Sequence, residues 1–299
     1  AEYVFSVFLP KDMDMATLVF QAVSPREDLS QLVQRAEVAN DVSGSLSRLQ
    51  MAPAINETNM TQQEMGRISI LADQPGGAGN WYAAQEAEYG DYHGLVATLD
   101  VYGFSLNPQQ LSRACIWLKN LGDGAPTSLN TITVGWEVSP FLYGDSKTHF
   151  FTAWTRDGYK TTGCYNSKCS GFEPASGASI SPGAVIETVS QLGHNGVKQN
   201  LILKVVKDKA SGDWVVHYGL NKQQEHLELI GQSNGHSFRR LGGLEHSDLQ
   251  LIDRDGQASP LNRELARFMT NPSLYQVTPI VNGAFFYGGP SPKPSLPNS

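Results

Sequence analysis

From about residue 90 the chain is divided into short apolar runs, too brief and too closely spaced for helices. They fall at 96–101, 114–118, 131–138, 149–155, 185–189, 201–206, 214–218 and 284–287, with glycine, proline, asparagine and aspartate between them. Such runs without long intervening helices predict strands joined by turns. That favours an antiparallel arrangement over parallel strands with helical crossovers. The expected fold class is all-β: an antiparallel β-sandwich of two curved sheets with a cleft, plus an N-terminal α/β segment.

The run at 131–138 can be assigned to faces, because side chains alternate along a strand. Ile132, Val134, Trp136 and Val138 fall on one side and belong to the core. Thr131, Thr133, Gly135 and Glu137 fall on the other and are expected to line a polar concave surface. The glycine would leave room there for a close approach to the backbone. A plain solvent-facing side is the alternative.

The first 78 residues differ in character. Residues 3–9 alternate like a strand. Ser24-Pro25-Arg26-Glu27 reads as a capping box with proline at the first helical position. Leu29, Leu32, Val33 and Ala36 follow at helical spacing. Residues 40–64 read as loop, and Gln74 to Asn80 as a hinge. The division expected is an N-terminal segment over 1–78, a sandwich domain over 79–292 and a Pro/Ser tail over 293–299. Short helices are expected at 222–240 and 262–269.

With 29 acidic against 22 basic residues the formal net charge is −7, and no basic stripe suggests nucleic acid as a partner. No apolar run approaches a membrane-spanning length. Asn56-Glu57-Thr58 and Asn59-Met60-Thr61 are glycosylation sequons, which with an absent leader suggest a secreted, extracellular or vacuolar, mature chain. Cys164 and Cys169 enclose four residues. They can close a small disulfide contributing roughly 2 kcal/mol, or stand as two thiols. Cys115, in an apolar run, reads as a buried free thiol. The histidines form no His-Glu-x-x-His pattern, so no metal and no cofactor are expected.

One stretch carries a resemblance. Gly135-Trp136-Glu137-Val138-Ser139-Pro140 is followed by Tyr143-Gly144-Asp145, by Trp154 and Asp157, and by Gly163-Cys164-Tyr165-Asn166-Ser167-Lys168-Cys169. In that order and spacing these elements resemble the signature of the neprosin family, secreted plant-type glutamic endopeptidases. The terminal Phe285-Phe286-Tyr287-Gly288-Gly289-Pro290 is similar to the family's last strand. The resemblance implies a secreted antiparallel sandwich with two glutamates across a cleft. Two close carboxyls cannot both ionise easily, so one activates water while the other supplies a proton.

The resemblance places the first glutamate two residues before the Gly-Trp pair, where this chain has Thr133. It places the second directly after a Gly-Gly pair, where this chain has Leu244. Neither can act as a carboxylate. Glu137, on the face of Thr133 but about 13 Å further along the strand, and Glu245, one residue beyond Leu244, are the candidate replacements. The expected function is therefore a secreted binding protein without the family's chemistry, with defence as a role, taking a peptide, glycan or cell-surface ligand in the cleft. The alternative is an acid-active endopeptidase using Glu137 and Glu245. In a third reading the first 78 residues cover the cleft of a latent form.

Overall fold

The computed structural model describes residues 3–7 and 17–24; 81–220 except 89, 109, 169–170, 176–177, 179 and 191–196; and 244–288 except 270–275. In chain order the strands are β1 (Tyr3–Val7), β2 (Thr17–Ser24), β3 (Trp81–Glu86), β4 (Gly94–Asp100), β5 (Ser112–Asn120), β6 (Asn130–Val138), β7 (His149–Thr155), β8 (Cys164–Tyr165), β9 (Phe172–Pro174), β10 (Asn200–Lys207), β11 (Trp214–Leu220), β12 (Leu244–Ile252), β13 (Ala258–Pro260), β14 (Ala266–Met269), β15 (Gln276–Val277) and β16 (Phe285–Gly288). A four-residue helix, α1 (Pro140–Tyr143), follows β6.

Among the described residues the strands form two antiparallel sheets. One runs β15-β16-β12-β4-β10-β11-β1-β9, with β13 beside β12; the other runs β14-β3-β2-β5-β6-β7-β8. The all-β sandwich expected from the spacing of apolar runs is the fold. Its core lies where the face assignment of β6 put it. Ile132, Val134, Trp136 and Val138 are fully buried with Leu95, Leu99 and other residues of the facing sheet. Trp136 also stitches the sheets, since its Nε1 donates to the Asp100 carbonyl at 2.8 Å.

The opposite face of β6 differs from expectation. All nine residues of the strand are buried, Thr133 and Glu137 completely. A second, smaller apolar cluster covers that side, made of Cys115, Phe151, Ala153 and Tyr165 with Trp117 and Leu142 against it. Gly135 serves this packing. A Cβ there would lie 2.1 Å from the Ala114 carbonyl oxygen and 2.7 Å from Cys115 Cα. The close approach it permits is that of β5.

Two other expectations change. Residues 266–269 form strand β14, where a helix was expected. Antiparallel pairing with β3, Ala266 opposite Glu86 through Met269 opposite Ala83, overrides local helix propensity. The run at 185–189 forms no strand of its own; Val185 bridges His149 and the Ile186 amide donates to the Thr148 carbonyl. The N-terminal helix, the sequons, the segment at 222–240 and the tail lie outside the described residues. From the first 24 residues, β1 enters one sheet between β11 and β9, and β2 enters the other between β3 and β5.

Candidate functional site

Glu137 lies one residue before the end of β6, directly opposite Arg113 of β5. Arg113 Nη2 and Nε donate to its Oε2 at 2.7 and 3.1 Å. The other oxygen accepts the hydroxyl of Tyr143 at 2.7 Å and that of Tyr165. Both charged side chains are buried to within 1%. A buried ion pair is tolerable only when its remaining lone pairs and protons are satisfied, and here the surroundings supply that. Arg113 Nη2 also donates to the Tyr165 oxygen at 3.1 Å, and its guanidinium sits 4.4 Å from the centre of the Phe151 ring.

Local sequence explains how Tyr143 reaches the carboxylate. Ser139-Pro140 starts α1 with proline at the first position, and Gly144 ends it in a left-handed conformation (φ 74°) while its N–H returns to the Pro140 carbonyl. This single turn folds Tyr143 back over the end of β6. Asn166 Nδ2 donates to the Tyr143 oxygen at 3.0 Å, while Asn166 Oδ1 accepts the Thr152 amide. His149 stacks on the Tyr143 ring at 3.7 Å, with Nε2 3.0 Å from Asp145 Oδ1 and Nδ1 2.8 Å from the Gly183 carbonyl. Burial and the Glu137 charge push the Tyr143 and Tyr165 hydroxyls well above the usual tyrosine range. They remain protonated donors.

The Asp157 loop is built the same way. Its carboxylate accepts from the backbone and hydroxyls of Thr161 and Thr162. Burial opposes ionisation, but these bonds outweigh it and hold the group down to about 2. Glu137, Tyr143, Asp145, Asp157, Tyr165 and Asn166 of the quoted motif thus bond within their own scaffold.

Glu245 belongs to the other sheet. It alternates with His246, whose ring stacks on Phe285 in the core, so its side chain points the other way. It is 3% exposed, and Lys198 Nζ donates to its Oε2 at 2.7 Å. The same ammonium lies 3.2 Å from Asp100 Oδ2 at the end of β4. Two buried carboxylates thus share one cation. Burial, and secondarily the Glu245 charge, push Asp100 up to about 7 against the pull of Lys198.

The candidate replacements are thus not brought together. Glu137 and Glu245 sit in different sheets, each bound to its own cation. Thr133 is fully buried, and neither its hydroxyl nor that of Thr131 has a hydrogen-bond partner. Leu244 opens β12 opposite Tyr287. Sequence reading missed Arg113, Asp100 and Lys198. The available signal was a charged residue inside an apolar run, at Leu99-Asp100-Val101 and Ser112-Arg113-Ala114. Among the described residues no group of three or more His, Cys, Asp or Glu could hold a metal ion.

Residues 108–243 match the Neprosin family model, which supports membership of the neprosin family. No described helix is long and apolar enough to cross a membrane.

Proposed function

We propose that this chain is a secreted neprosin-family protein that has lost the family's glutamate pair and acts by binding, with a defence role among the uses of such a protein. The observation that carries the reading is the state of Glu137. The carboxylate nearest the family's first position already accepts four hydrogen bonds from Arg113, Tyr143 and Tyr165. A general base needs a free lone pair within reach of water, and this one has each oxygen doubly engaged. Thr133 and Leu244, at the positions the resemblance marks, supply no carboxylate. The ligand class is an extended peptide, glycan or cell-surface group. The domain division at residue 78, glycosylation at Asn56 and Asn59 and the Cys164–Cys169 disulfide belong to the same proposal.

The test is titration calorimetry at pH 5 with a reduced, carboxymethylated, proline-containing protein, followed by mass spectrometry of the recovered probe. Saturable binding with the probe intact is expected. New chain termini that disappear in Glu137→Gln or Glu245→Gln would establish the alternative, an acid endopeptidase using those residues.

A further inference from the structure

We propose that Asp100, Lys198 and Glu245 form a proton-operated clasp, in which one proton held by the two carboxylates lets a single lysine tie β4, β12 and the entry to β10 together. This goes beyond the binding reading and does not depend on it.

The geometry sets the charge problem. Lys198 Nζ is 2.7 Å from one carboxylate and 3.2 Å from the other, so the two acids are close neighbours around one positive charge. Both acidic side chains are 4% exposed, whereas the lysine above them is 42% exposed. With both acids ionised, two buried negative charges face one half-solvated ammonium. With one proton bound, the cluster is neutral. Glu245 Oε1 is buried and accepts no hydrogen bond, which leaves a vacant acceptor that a protonated neighbour would fill. Among the described residues, Lys198 is the cation that acts on Asp100. The Asp100 charge is also felt by Tyr102 after β4 and Tyr287 of β16, whose hydroxyls burial, first, and then Asp100 push above the ordinary tyrosine value. Further along, Asp248 is occupied by the Thr98 hydroxyl at 3.0 Å.

The clasp also has something to hold. Gln199, next to Lys198, exchanges bonds with Ser190, its amide donating to Ser190 Oγ and its carbonyl accepting the Ser190 hydroxyl. Its carbonyl also takes the Val101 amide at 2.9 Å. Lys198 thereby fixes the approach to β10 against the end of β4.

The sign of the effect follows from linkage. Asp100 is raised from 3.8 to about 7 by burial and then by Glu245. The folded chain therefore keeps a proton that the unfolded chain loses, and this contribution to stability is present below pH 4 and lost as pH rises towards 7. His246, next to Glu245, works the other way. Burial pulls it from 6.5 to about 3, so its contribution is present above pH 6.5 and lost as pH falls towards 3. The wild-type profile mixes the two, and the difference between wild type and Asp100→Asn isolates the clasp.

Chemical unfolding of both proteins at pH 4 and pH 8 is the experiment. Asp100→Asn should gain on the order of a hundred- to a thousandfold in folding equilibrium constant relative to wild type between pH 4 and pH 8. A pH-independent difference would overturn the proposal. Carboxyl-carbon NMR of the wild type provides a reading that needs no variant of Asp100. Its signal should titrate near neutrality, and the midpoint should fall in Glu245→Gln, which removes the neighbouring charge, and rise in Lys198→Met. A titration complete below pH 5, or a midpoint indifferent to both changes, would also overturn it.

Discussion

Two buried carboxylate clusters, one in each sheet, solve the same problem in opposite ways. Glu137 is surrounded by donors: an arginine directly across the strand pair and two tyrosines, one on a helical turn and one on β8. Asp100 and Glu245 have fewer donors, one half-exposed lysine between them and the Glu245 amide on Asp100, and an oxygen is left without a hydrogen bond. Burial is nearly the same in both. The difference is the ratio of donors to acceptors. A satisfied carboxylate becomes part of the frame, and an unsatisfied pair becomes a place to store a proton.

The largest effect that would break the comparison comes from Gly135. Gly135→Ala would drive a methyl against the backbone of Ala114 and Cys115. It would force β5 from β6 and pull Arg113 away from Glu137, in register two residues along. A loss of about 3 kcal/mol is expected, measured by urea unfolding. An unchanged midpoint would mean that β5 and β6 do not pack as described.

The smallest effect sharpens the comparison. Thr133 has a buried hydroxyl with no partner, on the same strand face as Glu137. Thr133→Val keeps the shape and removes the unsatisfied group. It should raise stability by about 1 kcal/mol, again by urea unfolding. A loss of that size would show that the hydroxyl has a partner, such as an ordered water, and that this face is more completely satisfied than the geometry indicates.

How much of this was legible beforehand differs between fold and site. The β-sandwich and the core face of β6 follow from period-two patterning, which reports burial directly. The runs at 149–155 and 201–206 were read close to the observed strands for the same reason. The 262–269 segment misled because its helix-favouring residues pair as an edge strand, and pairing partners distant in sequence leave no local trace. The polar face of β6 misled because Thr133 and Glu137 look solvated until Phe151, Tyr165 and Leu142 are placed over that side. The site was legible as residues and illegible as pairs. Glu137 and Glu245 were both singled out, but their partners Arg113, Lys198 and Asp100 are 24, 47 and 145 residues away. Alternation tells which way a side chain points and says nothing of what meets it.

The most direct test is a double-mutant cycle on Arg113 and Glu137, read by unfolding. Arg113→Met and Glu137→Leu should each cost about 3–5 kcal/mol, because each strands a buried charge or a set of buried donors. The double variant should recover much of that loss, giving a coupling energy of at least about 2 kcal/mol. Additive losses, or single variants as stable as the wild type, would mean that the pair is not locked, and would return Glu137 to the list of groups free to do chemistry.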